Sequence, residues 1–380
     1  MLMNESFGEL LRPVKQDKKL NEIVQDGILQ PISAIHNPYA QKLTYVNSNI
    51  QFTNPAYDFS HDIPDGLPYM LVKGDKKSFP DALLYCRPHH YRTGILTSQS
   101  GILLDNVLFP YLDEKGVGHL NEEFTNTNKL RYAHVKVVTP QAIIIAEKPR
   151  TYGLADLSWV SSDADATDSL YQDGIRIVPT IAILEMSRIP NEYGDFISLE
   201  EAITRGFLAA DTIPAIQFRA FVTPYRAADL IDIEPTTSAK NETLRRKMLL
   251  RAFDDMSKDQ TISVDLSEGL QSTPKYLQWF SKTFGQNLAR LHKKNKIHRY
   301  LAGMHNVTLD ARMVDSDSLE TDVSDDKIYF ERFSLFSTDG DISMLRKFYN
   351  SVIMLSQSIV NPDTFLIKTL EAYTQEFRKD

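Results

Sequence analysis

The chain has 380 residues, of which 42% are hydrophobic and 24% charged, and its net charge is -8. That length is enough for two packed units, and the acidic balance argues against a broad nucleic-acid surface. Cys86 is the sole cysteine, which excludes an intramolecular disulfide and a cysteine-based zinc site within one chain and fits a reducing compartment.

The first residues, MLMNESFGELLRPVKQDKK, are mixed and charged and lack the apolar run of a signal peptide. Residues 1–30 read as a short helical arm. The longest apolar run, 142–146, is far below the roughly 20 residues that span a bilayer. The expectation is a cytoplasmic protein with no membrane partner. Residues 31–130 are rich in Asn, Pro, Tyr and Gly around short apolar runs at 82–85 and 101–108, a pattern of strands and long loops. Stronger strand signals follow in YAHVKVV and QAIIIAEK, separated by Thr139 and Pro140, then in GIRIVPTIAILEM. Between them, residues 161–168 read as an acidic Ser/Asp/Ala loop. FISLEEAITRGFLAAD reads as a helix, with Ser198 as N-cap and Glu200 and Glu201 in the first turn, where the helix dipole favours negative charge. AIQFRAFV is another strand, ended by Thr223 and Pro224.

After Pro235 the spacing turns helical, at 241–256, 275–294, 341–359 and 363–378. In the second of these, Leu277, Phe280, Phe284, Leu288 and Leu291 recur every three or four residues and form one apolar face. Strands gathered in the first part and helices in the second predict an α+β fold, with the boundary near 224–240.

The segment 288–318, LARLHKKNKIHRYLAGMHNVTLDARMVDSDS, carries the chemistry. It reads as a helix end, a loop with a histidine, an asparagine, and a short hairpin with arms VTL and RMV about an Asp310-Ala311 turn. An aspartate follows. A loop Asn and an Asp after the next strand can reach one ion, because the hairpin folds back between them. Asn306 and Asp315 have that arrangement, and their oxygens suit Mg.

This segment resembles the core of the aminoglycoside-phosphotransferase and protein-kinase-like superfamily. There, a helix ending in "LARLH" leads to a histidine-bearing loop, a metal-binding Asn, a hairpin and a metal-binding Asp. The resemblance implies a two-lobed kinase-like fold binding Mg and ATP, with Asn306 and Asp315 as metal ligands. It implies an N-terminal extension at 1–130, a small lobe at 131–233 and a helical large lobe at 234–380. In that scheme Lys136 or Lys148 touches phosphate, and Glu200 or Glu201 orients the lysine. Asp341 braces the catalytic loop, and a hinge lies near 223–228. Arg219 and Arg226 flank that hinge as ion-pair partners or phosphate contacts. Asp317 follows the metal Asp as in "DxD" variants, and His298 and Asp317 are the remaining candidates for proton transfer. The histidine's near-neutral pKa suits that role, with loop packing as the opposing reading.

The family spacing places Leu301 where the catalytic Asp belongs and Arg299 where its histidine belongs. With one extra loop residue, His298 and Tyr300 take those positions instead. Pseudokinases of the selenoprotein O type also lack that Asp and transfer AMP. Three readings follow from the resemblance. One is an Mg-ATP-dependent phosphoryl or adenylyl transferase with an unidentified protein or small-molecule acceptor. The second is a non-catalytic pseudokinase scaffold that binds a protein, and the third is an antibiotic or sugar kinase. Two basic groups stand apart: the Arg87–Gly94 segment RPHHYRTG reads as a solvated loop or as a contact for an anionic substrate, and Arg245, Arg246, Lys247 and Arg251 read as one solvated helix face.

Overall fold

The computed structural model describes residues 18–72, 82–86, 93–118, 133–139, 142–148, 154–191, 193–205, 208–231, 239–298, 301–337 and 343–379. The chain folds as α+β, in two units each assembled from separated stretches of sequence. The first unit takes residues 1–102, 110–161 and 180–220, and the second takes 103–109, 162–179 and 221–380.

The first unit is built on a large antiparallel sheet. Its strands run in the order Lys42–Val46, Thr180–Glu185, Pro214–Phe221, Tyr111–Lys115, Thr93–Thr97, Ala82–Cys86, Gln30–His36 and Tyr69–Leu71, and Ala155–Asp156 pairs with Pro214–Phe221. Pro214–Phe221 is buried at every position, which is why AIQFRAF reads as a run and not an alternation. Arg219 sits inside this sheet because Asp113 receives its guanidinium in a two-pronged ion pair at 2.9 and 3.3 Å. The two Ile-rich segments form a separate hairpin, Ala133–Thr139 with Ala142–Lys148, paired in register from Thr139 opposite Ala142 to Ala133 opposite Lys148. Lys136 lies opposite Ile145. The helix expected from FISLEEAITRGF is shorter than its pattern. Phe196–Ser198 is a strand paired with Arg188–Pro190, and the helix covers Leu199–Thr204, capped by Ser198 Oγ accepting from the Glu201 amide at 3.1 Å.

The second unit is mainly helical. Helix Thr273–Lys293 is its axis, and Leu277, Phe280, Phe284, Leu288 and Leu291 are fully buried, as their spacing predicts. Burying each such side chain stabilises by about 1.5–3 kcal/mol. Phe280 packs on Phe348 of helix Met344–Ser356, with ring centroids 4.9 Å apart. Helix Pro362–Phe377 crosses at Gly285, where a Cβ would lie 2.4 Å from the Thr369 carbonyl oxygen. Only glycine admits that approach.

One expectation is corrected here. Residues 161–168 are not a loop but part of helix Leu157–Gln172. Asp, Ser and Thr are weak helix formers, which hid the helix in the sequence. Val160, Ala164, Thr167 and Leu170 are buried and recur at helical steps, so tertiary packing overrides propensity. Helix Asp325–Phe336 is a further element the sequence pattern did not announce. Asp341, Arg299, Tyr300 and residues 87–92 of the basic RPHHYR segment lie outside the described residues.

Candidate functional site

The hairpin read from VTLDARMV is present, and its two arms meet as the antiparallel pair Val307 and Met313. Thr308 and Arg312 close it. The Arg312 amide donates to Thr308 Oγ1 at 3.0 Å, and Thr308 Oγ1 donates to Asp310 Oδ1 at 2.5 Å. Ala311 takes the left-handed φ of 58° that the turn requires. Helix Thr273–Lys293 holds the tip from below. Tyr276 Oη donates to the Leu309 carbonyl at 2.8 Å, and Asn287 Nδ2 donates to the Ala311 carbonyl at 3.0 Å.

Two extended segments flank the hairpin. On one side Met313 pairs in parallel with Ile177, and the Val178 amide donates to the Met313 carbonyl at 2.9 Å. On the other side Arg226 pairs antiparallel with Thr308. There the Ala227 amide donates to the Val307 carbonyl at 2.8 Å and the Leu309 amide to the Tyr225 carbonyl at 3.0 Å. The stretch expected as a hinge lies along the hairpin through the Arg226–Thr308 bridge and then enters helix Ala227–Leu230, with Thr223, Tyr225 and Ala227 fully buried.

That pairing delivers the Arg226 guanidinium to the base of the hairpin. Its Nη1 donates to Asp315 Oδ2 at 2.8 Å, to the His305 carbonyl at 2.9 Å and to Asn306 Oδ1 at 3.1 Å. Asn306 and Asp315, the two residues singled out as metal ligands, are thus brought together on one point. The cation at that point is an arginine nitrogen. Asp315 itself has left-handed backbone, φ 60°, which is uncommon outside Gly, Asn and Asp.

His298 and Ser318 brace Asn306 from behind. His298 is fully buried, and its Nε2 lies 2.9 Å from the Val314 carbonyl. A carbonyl can only accept, so Nε2 carries the proton; Nδ1 lies 3.2 Å from Ser318 Oγ, whose hydroxyl donates to the Asp315 carbonyl at 2.9 Å. Burial lowers the His298 pKa below its usual value, although the Val314 hydrogen bond and nearby carboxylates pull the other way. His298 is therefore a neutral loop anchor, fully buried and bonded through Nε2. Asn306 Nδ2 donates to the same Ser318 Oγ at 3.4 Å. Asp317 is exposed, and its backbone amide donates to Asp163 Oδ1 at 3.2 Å, which ties helix Leu157–Gln172 to the turn after Asp315. Leu301, which the resemblance sets where a catalytic Asp would stand, is fully buried.

The hairpin tip holds a second set of charges. Asp259 Oδ2 accepts from Arg312 at 3.3 Å and from Arg176 at 3.5 Å, and Asp310 receives the other prong of Arg312. Burial pulls the Arg312 pKa down to about 9, and the neighbouring Arg176 adds to the fall, while Asp259 opposes it. Burial works against the Asp259 carboxylate too. Arg312, Thr261 and Arg176 together outweigh it and hold its pKa below the ordinary value.

The other sequence candidates lie in the first unit. Lys136 and Lys148 are strand residues of the Ala133–Lys148 hairpin. Glu200 and Glu201 are exposed, and Glu201 Oε1 pairs with Arg205 of its own helix at 3.2 Å. Among the described residues, no three His, Cys, Asp or Glu side chains gather as a metal site. No described helix is long and apolar enough to cross a membrane. No protein-family model matches the chain, and no curated protein does.

Sequence reasoning missed Arg226 as a member of the Asn306–Asp315 group. Its one signal was its place two residues after Pro224, where an arginine was read as an ion-pair partner or a phosphate contact. The oxygens around Arg226 Nη1 suit Mg in kind, since Mg takes one or two carboxylates and fills its shell with water and phosphate. In this structure the Arg226 guanidinium nitrogen, 2.8–3.1 Å from the same oxygens, occupies the point between them.

Proposed function

We propose that this chain is a kinase-like module that works by binding, in which Arg226 takes the place of the nucleotide-bound metal. One observation carries the reading: a single guanidinium nitrogen satisfies both Asn306 Oδ1 and Asp315 Oδ2. The pair is charge-balanced, one carboxylate against one guanidinium, and a divalent ion would have to break three hydrogen bonds to enter. Leu301 at the position of the catalytic Asp supports the same view, because a buried aliphatic side chain moves no protons.

The test is calorimetry and thermal melting with Mg and ATP, on the native chain and on Arg226→Gln. The native chain should release no heat and keep its melting temperature. Arg226→Gln should bind Mg through the freed Asn306 and Asp315. A ligand at 100 times its dissociation constant stabilises by about 2.7 kcal/mol, so binding to the native chain would be plain to see and would overturn the reading.

The convergence of three oxygens on one point favours a second reading, an Mg-ATP-dependent transferase in which Arg226 moves aside. Asn306 and Asp315 would then hold the ion. Transfer of label from γ-labelled or α-labelled ATP to an acceptor separates phosphoryl from adenylyl transfer, and transfer of neither favours the binding module.

A further inference from the structure

Helix Asp325–Phe336 turns aromatic side chains to solvent. Tyr329, Phe330 and Phe333 are 65%, 72% and 49% exposed, while Ile328 and Leu335 are buried on the opposite side. The orientation is anchored. His292 Nε2 lies 2.7 Å from Glu331 Oε2, and the Arg332 guanidinium sits 4.8 Å from the centre of the Tyr373 ring. These contacts hold residues 328, 331, 332 and 335 against the body of the unit and leave 329, 330 and 333 facing out. At 3.6 residues per turn those three lie within an arc of about 100°. Single exposed apolar residues are ordinary, but three large rings on one arc form a patch on the order of 300 Å².

The patch has a charge. Asp325 and Asp326 are exposed in the first turn of the same helix, Asp326 on the arc of the rings and Asp325 about 40° outside it next to Tyr329, and Asp322 is exposed just before it. Lys327 of the same helix pairs with Glu320 at 2.9 Å, and Arg332 sits on the Tyr373 ring. Carboxylates in a first turn serve the helix dipole, which explains their presence but not the rings beside them.

We infer that this face docks a basic amphipathic helix of a partner protein, with its apolar stripe on Tyr329, Phe330 and Phe333 and its Lys or Arg residues at Asp322, Asp325 and Asp326. Charge selects among occupants. A second copy of this face brings no cation to the three carboxylates, and an anionic membrane repels them. A basic helix pairs them and buries the rings, and its cations can also sit over the aromatic faces. The inference rests on residues other than those of the Asn306–Asp315 site and stands whichever cation that site holds.

The probe is an 18-residue amphipathic Leu/Lys peptide, with a scrambled peptide of the same composition and a Leu/Glu version as controls. Titration against the full chain should give saturable binding of the Leu/Lys peptide, at least tenfold tighter than either control. Phe330→Ser with Phe333→Ser should weaken it at least tenfold, and Asp325→Lys with Asp326→Lys should do the same. Phe330 and Phe333 are exposed, so circular dichroism and melting of the aromatic variant should match the native chain; the Asp325→Lys/Asp326→Lys chain loses some helix-dipole stabilisation, so its fold is checked by circular dichroism at the titration temperature. The inference is overturned if the native chain does not bind the peptide, or if the Phe330→Ser/Phe333→Ser chain binds it as well as the native chain does. It is equally overturned if the face instead drives dimerisation in sedimentation, or binding to phosphatidylserine vesicles, that the aromatic substitutions abolish.

Discussion

At the tip of the 307–313 hairpin, Arg312, Asp310, Asp259 and Arg176 form a network whose carboxylates are sealed from water. At its base, six residues along the chain from Asn306 to Arg312, the side chains of Arg226 and Asp315 stay 12% and 14% exposed. The two clusters use the same residue types on one small element, and burial separates their roles. At the tip, each charge is kept only because its partners are in place, so the network fixes the turn to the two elements behind it. At the base, the slight exposure of the pair makes its desolvation cost smaller, and three hydrogen bonds hold the arginine in place. A closed network suits structure and an accessible pair suits recognition.

The comparison can be broken from the tip. Asp259→Ala leaves the Arg312 and Arg176 guanidinium groups with Asp310 as their one shared carboxylate and should cost about 3 kcal/mol in denaturant unfolding. A loss below about 1 kcal/mol would mean that the tip is no more closed than the base. Asn287→Ala should come next. It strands the Ala311 carbonyl and the Arg176 amide, which it bonds at 3.0 and 3.3 Å, and should cost about 2–3 kcal/mol.

At the base, Arg226→Gln should cost only about 1 kcal/mol, because solvent and the glutamine amide recover part of what Asp315 loses. Its signature is the gained response to Mg described above, which Asp259→Ala should lack. Equal destabilisation by Arg226→Gln and Asp259→Ala would erase the distinction between the two ends.

The smallest effect concerns pH. His298 is held neutral in the folded chain, with its pKa lowered, whereas the unfolded chain takes up that proton near pH 6.5. Between those two values the unfolded state binds more protons, so stability falls as pH drops below about 6.5 and is flat above it. Melting temperature measured from pH 7.5 to 5 should decline in the native chain, and His298→Gln should remove part of that slope. An unchanged slope would show that His298 titrates alike in both states.

Much of this molecule was legible in the residues. The α+β segregation, the buried face of helix Thr273–Lys293, the Ser198 cap and the hairpin about Asp310 and Ala311 follow from periodicity and turn chemistry, which act over a few residues. The convergence of Asn306 and Asp315 followed from the same hairpin, because the eight residues between them, folded back on themselves, leave little freedom. The tertiary structure decided the rest. Arg226 lies 80 residues before Asn306, and only the pairing of Tyr225–Ala227 along Val307–Leu309 brings its guanidinium there. Helix Leu157–Gln172 forms against its own weak propensities because Ala164, Thr167 and Leu170 find a surface to cover. Local spacing specifies elements, but the choice of cation between two oxygens is made by a contact distant in sequence. No period in the chain encodes it.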